Sequence, residues 1–168
     1  MVVHAQPPRN GDDGRVLGTE PPSRPGLDTG QDTMTPAPGC SPDLSFSVLL
    51  CDDNLMLLET LREVLQAQPD IEVVGAARDG EEALRLTHRH QPDLVVLDVR
   101  FPGGGPSVAA DIARCSPSSR IVAFSAYDDK GTIGQMMDAG VCAYVLKGVS
   151  NRELLSALRR AATAKKAG

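Results

Sequence analysis

At 168 residues and a net charge of −5, the chain has room for one ordinary domain and a tail, and neither part offers the basic face that nucleic acid requires. Residues 1–43 hold six acidic and three basic residues and the remainder sixteen and fourteen, so direct DNA binding is not expected. No apolar run is long enough for a signal peptide or a membrane span, so a soluble, cytoplasmic protein without membrane contact is expected.

Eight of the thirteen prolines fall in residues 1–43, among scattered Gly, Ser, Thr and Asp and without apolar periodicity. Such a segment buries too little apolar surface to offset its ordering entropy, so a disordered N-terminal tail is expected there. Met34 offers a second initiation point within it.

From Ser47 onward, short apolar runs alternate with helical periodicity in units of twenty to twenty-five residues, the pattern of successive βα units. Val48–Cys51 reads as the first strand, followed by a helix with Leu58, Leu61 and Leu65 on one face. Ile71–Ala76 reads as a second strand whose partly polar alternation suits a sheet edge. Asp79 and Glu82 form a capping box for the second helix. Leu94-Val95-Val96-Leu97-Asp98 is apolar at every position up to its aspartate, as in a parallel strand covered on both faces.

The loop Phe101-Pro102-Gly103-Gly104-Gly105 follows, and Pro106 suits the first turn of a third helix. Its glycines lack the Lys-Ser or Lys-Thr of a P-loop and read as positions of positive φ. Ile121–Ser125 is the fourth strand. A helix from about Asp129 to Ala139 then ends at Gly140, its early turns weakened by Gly131 and Gly134. Ala143–Lys147 is the fifth strand, and Ser150 with Glu153 caps a closing helix. Right-handed crossovers make this an α/β fold, a doubly wound parallel sheet of five strands in the order 2-1-3-4-5.

In that order the strand ends bring together Asp52, Asp53, Asp98, Ser125 and Lys147. Three carboxylates at one spot repel one another, and a hard divalent cation such as Mg2+ makes the cluster tolerable. The four cysteines form no CxxC pair, and His88 and His90, two residues apart on a helix, point to different sides, which argues against a zinc or redox site.

The run Leu49-Leu50-Cys51-Asp52-Asp53, Asp98, Ser125-Ala126 and Tyr144-Val145-Leu146-Lys147 resembles the receiver domain of two-component response regulators over residues 46–164. The resemblance implies a flavodoxin-like receiver fold and a phosphoacceptor, Asp98, charged from a histidine of a sensor kinase or a histidine phosphotransfer protein. It also implies Mg2+ (or Mn2+) held by Asp52, Asp53, Asp98 and the backbone carbonyl of Arg100. Lys147 and Ser125 would bind the phosphoryl group, and Ser125 and Tyr144 would form the switch. Gly148 stands where many such domains carry proline. With no room for an output domain after the fifth strand, the reading is a stand-alone regulator, not an enzyme. It would signal to a downstream protein through the helix 4, strand 5 and helix 5 face, with a homodimer compatible. A phosphoryl-transfer enzyme of the haloacid dehalogenase type is the alternative, although Asp98-Val99-Arg100 lacks the second acid of its Asp-x-Asp motif. A scaffold that works without phosphorylation is another.

Overall fold

Each apolar run named above becomes a strand, and each helical repeat a helix. The computed structural model describes residues 2–4 and 45–166. In chain order these form β1 (Val2–His4), β2 (Phe46–Cys51), α1 (Leu55–Gln66), β3 (Ile71–Ala77), α2 (Gly80–His90), β4 (Leu94–Asp98), α3 (Pro106–Cys115), β5 (Arg120–Ser125), α4 (Lys130–Asp138), β6 (Val141–Leu146) and α5 (Asn151–Lys166). The strands lie in the order β1-β6-β5-β4-β2-β3, and all neighbours after the first pair are parallel. The five βα units therefore take the expected order, with β3 at the edge. Among the described residues, no helix is long and apolar enough to cross a membrane.

The N-terminus departs from expectation. Val2–His4, read as part of a disordered tail, form a strand antiparallel to β6. Three residues carry no periodicity from which a strand can be read, and the ladder on β6 supplies what local sequence does not. Residues 5–43 of that tail lie outside the described residues.

Burial follows from the strand composition. All five residues of β4 are buried, and Leu94, Val95 and Leu97 are wholly so. Alternation sends Leu50, Leu94, Val96, Val122 and Val145 to one face, where Leu58, Leu61 and Leu65 of α1 and Leu154, Ala157 and Leu158 of α5 meet them. Leu49, Val95, Leu97, Ile121 and Tyr144 face the other way, onto α2, α3 and α4 through Ala83, Ile112 and Met136. Each fully buried Leu or Val contributes roughly 1.5–3 kcal/mol, so two such layers fix the strand ends firmly.

The caps show how local sequence sets the helix starts. Ser150 and Glu153 form a reciprocal box, with the Ser150 N–H donating to Glu153 over 3.0 Å and the Glu153 N–H to Ser150 Oγ over 3.3 Å. At α2 the Glu82 N–H donates to Asp79 over 2.8 Å, but the Glu82 carboxylate accepts from Arg78 rather than from the cap residue. The start of α4, expected to be weak, is capped by Asp129, which accepts from the Thr132 N–H at 2.8 Å. That bond holds the Asp129 carboxyl below its usual range.

One ion pair ties α5 to the turn before β3. Arg159 grips both oxygens of Asp70, at 2.7 and 2.8 Å, and donates to Gln68 at 3.0 Å. The Arg159 hydrogen bond is the main reason that the Asp70 carboxyl titrates below its usual range. A depressed carboxyl contributes stability above its unfolded pKa and loses it as pH falls through the folded one. Because both partners are partly exposed, Asp70→Asn is expected to cost about 1 kcal/mol at neutral pH. Urea denaturation across pH should show that difference vanish at acidic pH, below the ordinary aspartate range.

Candidate functional site

The carboxyl ends of β2, β4, β5 and β6 share one end of the sheet, where an open parallel sheet ordinarily binds its ligands. β2 runs into Asp52, which is buried, and then into Asp53, which is exposed. The Asn54 N–H donates to Asp52 Oδ1 over 2.9 Å, and Asn54 itself caps α1 by accepting from the Leu57 N–H. The turn that shapes the acidic pair thus also starts the helix behind it. β4 delivers Asp98, 6 % exposed, with its Oδ1 accepting from the Arg100 N–H at 3.3 Å.

Lys147, expected within the last strand, stands one residue beyond β6. Its ammonium lies 2.6 Å from Asp52 and 3.2 Å from Asp98, while its own N–H donates to the Ser125 carbonyl over 2.7 Å. Oxygens of Asp52, Asp53 and Asp98 all fall within 4.8 Å of one another. Burial is the chief cause of an Asp98 carboxyl pushed above its usual range, only partly opposed by Lys147. Burial alone would lower Lys147, but its hydrogen bond to Asp52 and the two carboxylates outweigh that and raise it. Three clustered acids against one ammonium leave a local excess of negative charge. Two buried carboxylates and one exposed carboxylate, all hard oxygen donors, fit a divalent cation such as Mg2+.

Ser125 ends β5 wholly buried, and its Oγ accepts from the Tyr127 N–H at 3.2 Å. Tyr144, 1 % exposed, points inward and donates its hydroxyl to the Tyr127 carbonyl at 2.8 Å. Tyr127 therefore joins the two residues expected to act as a switch. Its ring also carries the Arg100 guanidinium, 3.7 Å from the ring centroid. From the sequence, Arg100 is expected to offer its backbone carbonyl to the metal and, with Tyr127, to flank the path of attacking water, but not to stack on Tyr127. The stack between them depends on two loops meeting, and only an exposed arginine and an exposed tyrosine near strand ends could have signalled it.

The loop after Asp98 is fixed by its neighbours. Gly103 and Gly105 adopt positive φ, as expected, at 68° and 81°, and the Gly80 N–H at the start of α2 donates to the Pro102 carbonyl over 2.8 Å. The cysteines stand apart from this chemistry. Burial raises the thiols of Cys51, Cys115 and Cys142, which makes them poor nucleophiles, while Cys40 lies outside the described residues. His88 and His90 are exposed in the last turn of α2, just before the amino end of β4 rather than at the carboxyl end that carries Asp98.

Known proteins resemble this chain in sequence and fold. A family model described as the response regulator receiver domain matches residues 48–159. The nitrate/nitrite response regulator protein NarL of Escherichia coli K12 is 35% identical over 117 residues, covering 69% of this chain and 54% of NarL. The transcriptional regulatory protein PdtaR of Mycobacterium tuberculosis is 36% identical over 117 residues, covering 68% of this chain and 55% of PdtaR. Among solved structures, the signal receiver domain of the putative response regulator NarL from Mycobacterium tuberculosis superposes with a TM-score of 0.68 at 31% identity, over 71% of this chain and 97% of that one. This chain spans about half the length of the curated relatives it matches. Those relatives include transcriptional regulators, so the expectation of no direct DNA binding finds no support in them.

The haloacid dehalogenase and scaffold alternatives find no support either, for the family model and the NarL matches are to response regulators. From the order of the strands, the acidic end of the sheet and these similarities together, the chain belongs to the response regulator receiver domain family of two-component signalling systems.

Proposed function

We propose that Asp98 accepts the phosphoryl group of a phosphohistidine on a sensor kinase or histidine phosphotransfer protein. The observation that carries this reading is a carboxylate at the end of a fully buried strand, 3.2 Å from the Lys147 ammonium and within 4.8 Å of oxygens of Asp52 and Asp53. An Asp98 oxygen forms the new bond to phosphorus as the P–N bond breaks, and the imidazole keeps the bonding electron pair. Lys147 neutralises charge on the equatorial oxygens and fixes the orientation of the nucleophile. Asp52, Asp53, Asp98 and the Arg100 carbonyl would hold Mg2+ (or Mn2+), which when bound supplies further charge neutralisation at the phosphoryl oxygens. The protein assists only its own phosphorylation and dephosphorylation and works in the cytoplasm, where its kinase and nucleotide are found.

Readout follows from Ser125 and Tyr144. A phosphoryl oxygen at Asp98 would accept from the Ser125 hydroxyl and draw it away from the Tyr127 N–H that now donates to its Oγ. Moving Ser125 perturbs Tyr127, and with it the carbonyl on which Tyr144 rests. The two arrangements pre-exist, and phosphorylation shifts their populations. The shift is passed to a downstream protein, or to a second copy, through the face of α4, β6 and α5.

Intact-mass measurement after incubation with acetyl phosphate and Mg2+ tests the reading: one phosphoryl adduct is expected, and rapid turnover of the reagent or no adduct at all would overturn it. Asp53→Ala should keep the fold, lower Mg2+ affinity at least about tenfold and slow labelling in parallel. Without metal the same variant should melt no lower than the wild type, because a repulsive carboxylate is gone. Mg2+ titration followed by calorimetry checks the first, and thermal melting the second.

The readout helix offers a separate test. An alanine Cβ at Gly134 meets nothing within 4 Å, and at Gly131 only the Asp129 side chain at 3.6 Å, so both substitutions fit. The double variant should stabilise α4 by roughly 1 kcal/mol, change partner or dimer affinity and leave the labelling rate nearly unchanged. Of the two methionines in α4, Met136 is wholly buried and serves as core, and Met137 lies at the half-buried margin. Amide exchange over residues 130–137 should slow on phosphorylation; equal exchange in both states would count against α4 as the readout element.

A further inference from the structure

Without β1, β6 would be an edge lacking the usual protection. Val141, Cys142, Ala143, Tyr144, Val145 and Leu146 include no charge, proline or glycine, whereas natural edge strands are ordinarily blunted by such residues. The opposite edge, β3, carries Glu72 and Gly75. Amide directions alternate along a strand, and the Lys147 N–H donates to the Ser125 carbonyl of β5. The amides of Val145 and Ala143 therefore also face β5, and that of Tyr144 faces outward. On that outward side stands β1, antiparallel, with Val3 opposite Tyr144. Val3 and Tyr144 are thus the pair positioned to exchange both ladder hydrogen bonds.

We propose that the outer edge of β6 is a docking site for an extended strand, and that residues 2–4 of the same chain are its resident occupant. Main-chain bonds are the recognition chemistry, as in other cases of strand addition to a sheet edge. A three-residue strand makes few of them, and the covalent tether through residues 5–45 supplies the effective concentration that keeps it in place. While it stays, the apolar edge is closed to a second copy or to a partner's strand. The site lies on the face assigned above to output, and its strand carries Tyr144, so occupancy of the edge and the inward Tyr144 are held by one element. The inference rests on the proposed output reading only for that consequence. Its test uses unphosphorylated protein, so failure of either leaves the other standing.

The test is Val3→Pro in the full chain, which removes the Val3 N–H, followed by residue-resolved amide exchange. The Tyr144 amide should exchange at least about tenfold faster than in the wild type, while Ala143 and Val145, bonded to β5, stay unchanged. A synthetic peptide of residues 1–6, added at millimolar concentration, should restore Tyr144 protection, and the same peptide with proline at its third position should not. A concentration-dependent dimer of the variant that protects Tyr144 again would equally support a strand-accepting edge. Equal Tyr144 exchange in wild type and variant would overturn the proposal. So would loss of protection at residues 143–145 together, which would make β1 a structural prop, or a monomeric variant that the peptide fails to protect.

Discussion

Asp98→Asn is expected to abolish labelling by acetyl phosphate completely while leaving the protein folded. The amide matches the carboxylate in shape, but it is neutral and lacks the anionic oxygen that attacks phosphorus. Loss of function through unfolding is not expected, because the native carboxylate is held in a costly place. Burial raises its pKa despite Lys147, and Asp52 adds repulsion. For a carboxyl whose folded pKa is raised, the charged form is destabilised by folding, so stability declines as pH rises through the unfolded and then the folded pKa. A neutral amide escapes that penalty, and the metal-free variant should melt at or above the wild-type temperature at neutral pH. Intact mass and thermal melting on the same sample check both halves. An adduct of unchanged stoichiometry in this variant would move the phosphoacceptor elsewhere.

Gly80→Ala is expected to destabilise the fold by roughly 3 kcal/mol, the upper range for forcing an atom into a filled interior. Helix propensity taken alone argues for the reverse, since alanine is better than glycine by about 1 kcal/mol inside a helix. The difference lies in what stands beside the position. A Cβ there would run into the carbonyl oxygen of Gly103, 2.9 Å from that residue's carbonyl carbon and 2.8 Å from a methyl of Val108. The carbonyl belongs to backbone already fixed by the Gly80–Pro102 hydrogen bond, so relief requires moving the loop that follows Asp98. Labelling should therefore slow along with the loss of stability. Urea denaturation checks the magnitude, with Gly134→Ala as the control expected to gain stability.

Arg100 and Tyr127 show how far the neighbourhood of Asp98 is shaped by loops rather than strands. Their stack lies beside an otherwise buried carboxylate, and Tyr127 simultaneously contacts Ser125 and Tyr144 through its backbone. Asp98 thus has a short route through Arg100 and Tyr127 to the Tyr144 strand, and through it to the edge that β1 covers.

The sequence by itself determined the five βα units and which residues stand at their strand ends. β4 was legible because an apolar residue at every position suits only a strand covered on both faces, and α5 because Ser150 and Glu153 cap it reciprocally within four residues. Asp52, Asp53, Asp98, Ser125 and Lys147 were legible together because a parallel sheet gathers its carboxyl ends, so strand order alone brings them near one another. Their distances were another matter. That Lys147 sits closer to Asp52 than to Asp98 depends on how β6 ends relative to β2, a relation no local pattern encodes. The same holds for Arg159 on Asp70, for Arg100 on Tyr127 and for the space that forbids a Cβ at Gly80. Val2–His4 is the extreme case: three residues are too few to be read as a strand, and pairing with β6, more than 130 residues away in sequence, makes them one. Periodicity and caps are local and can be read along the chain; pairings across the sheet exist only once the strands have assembled.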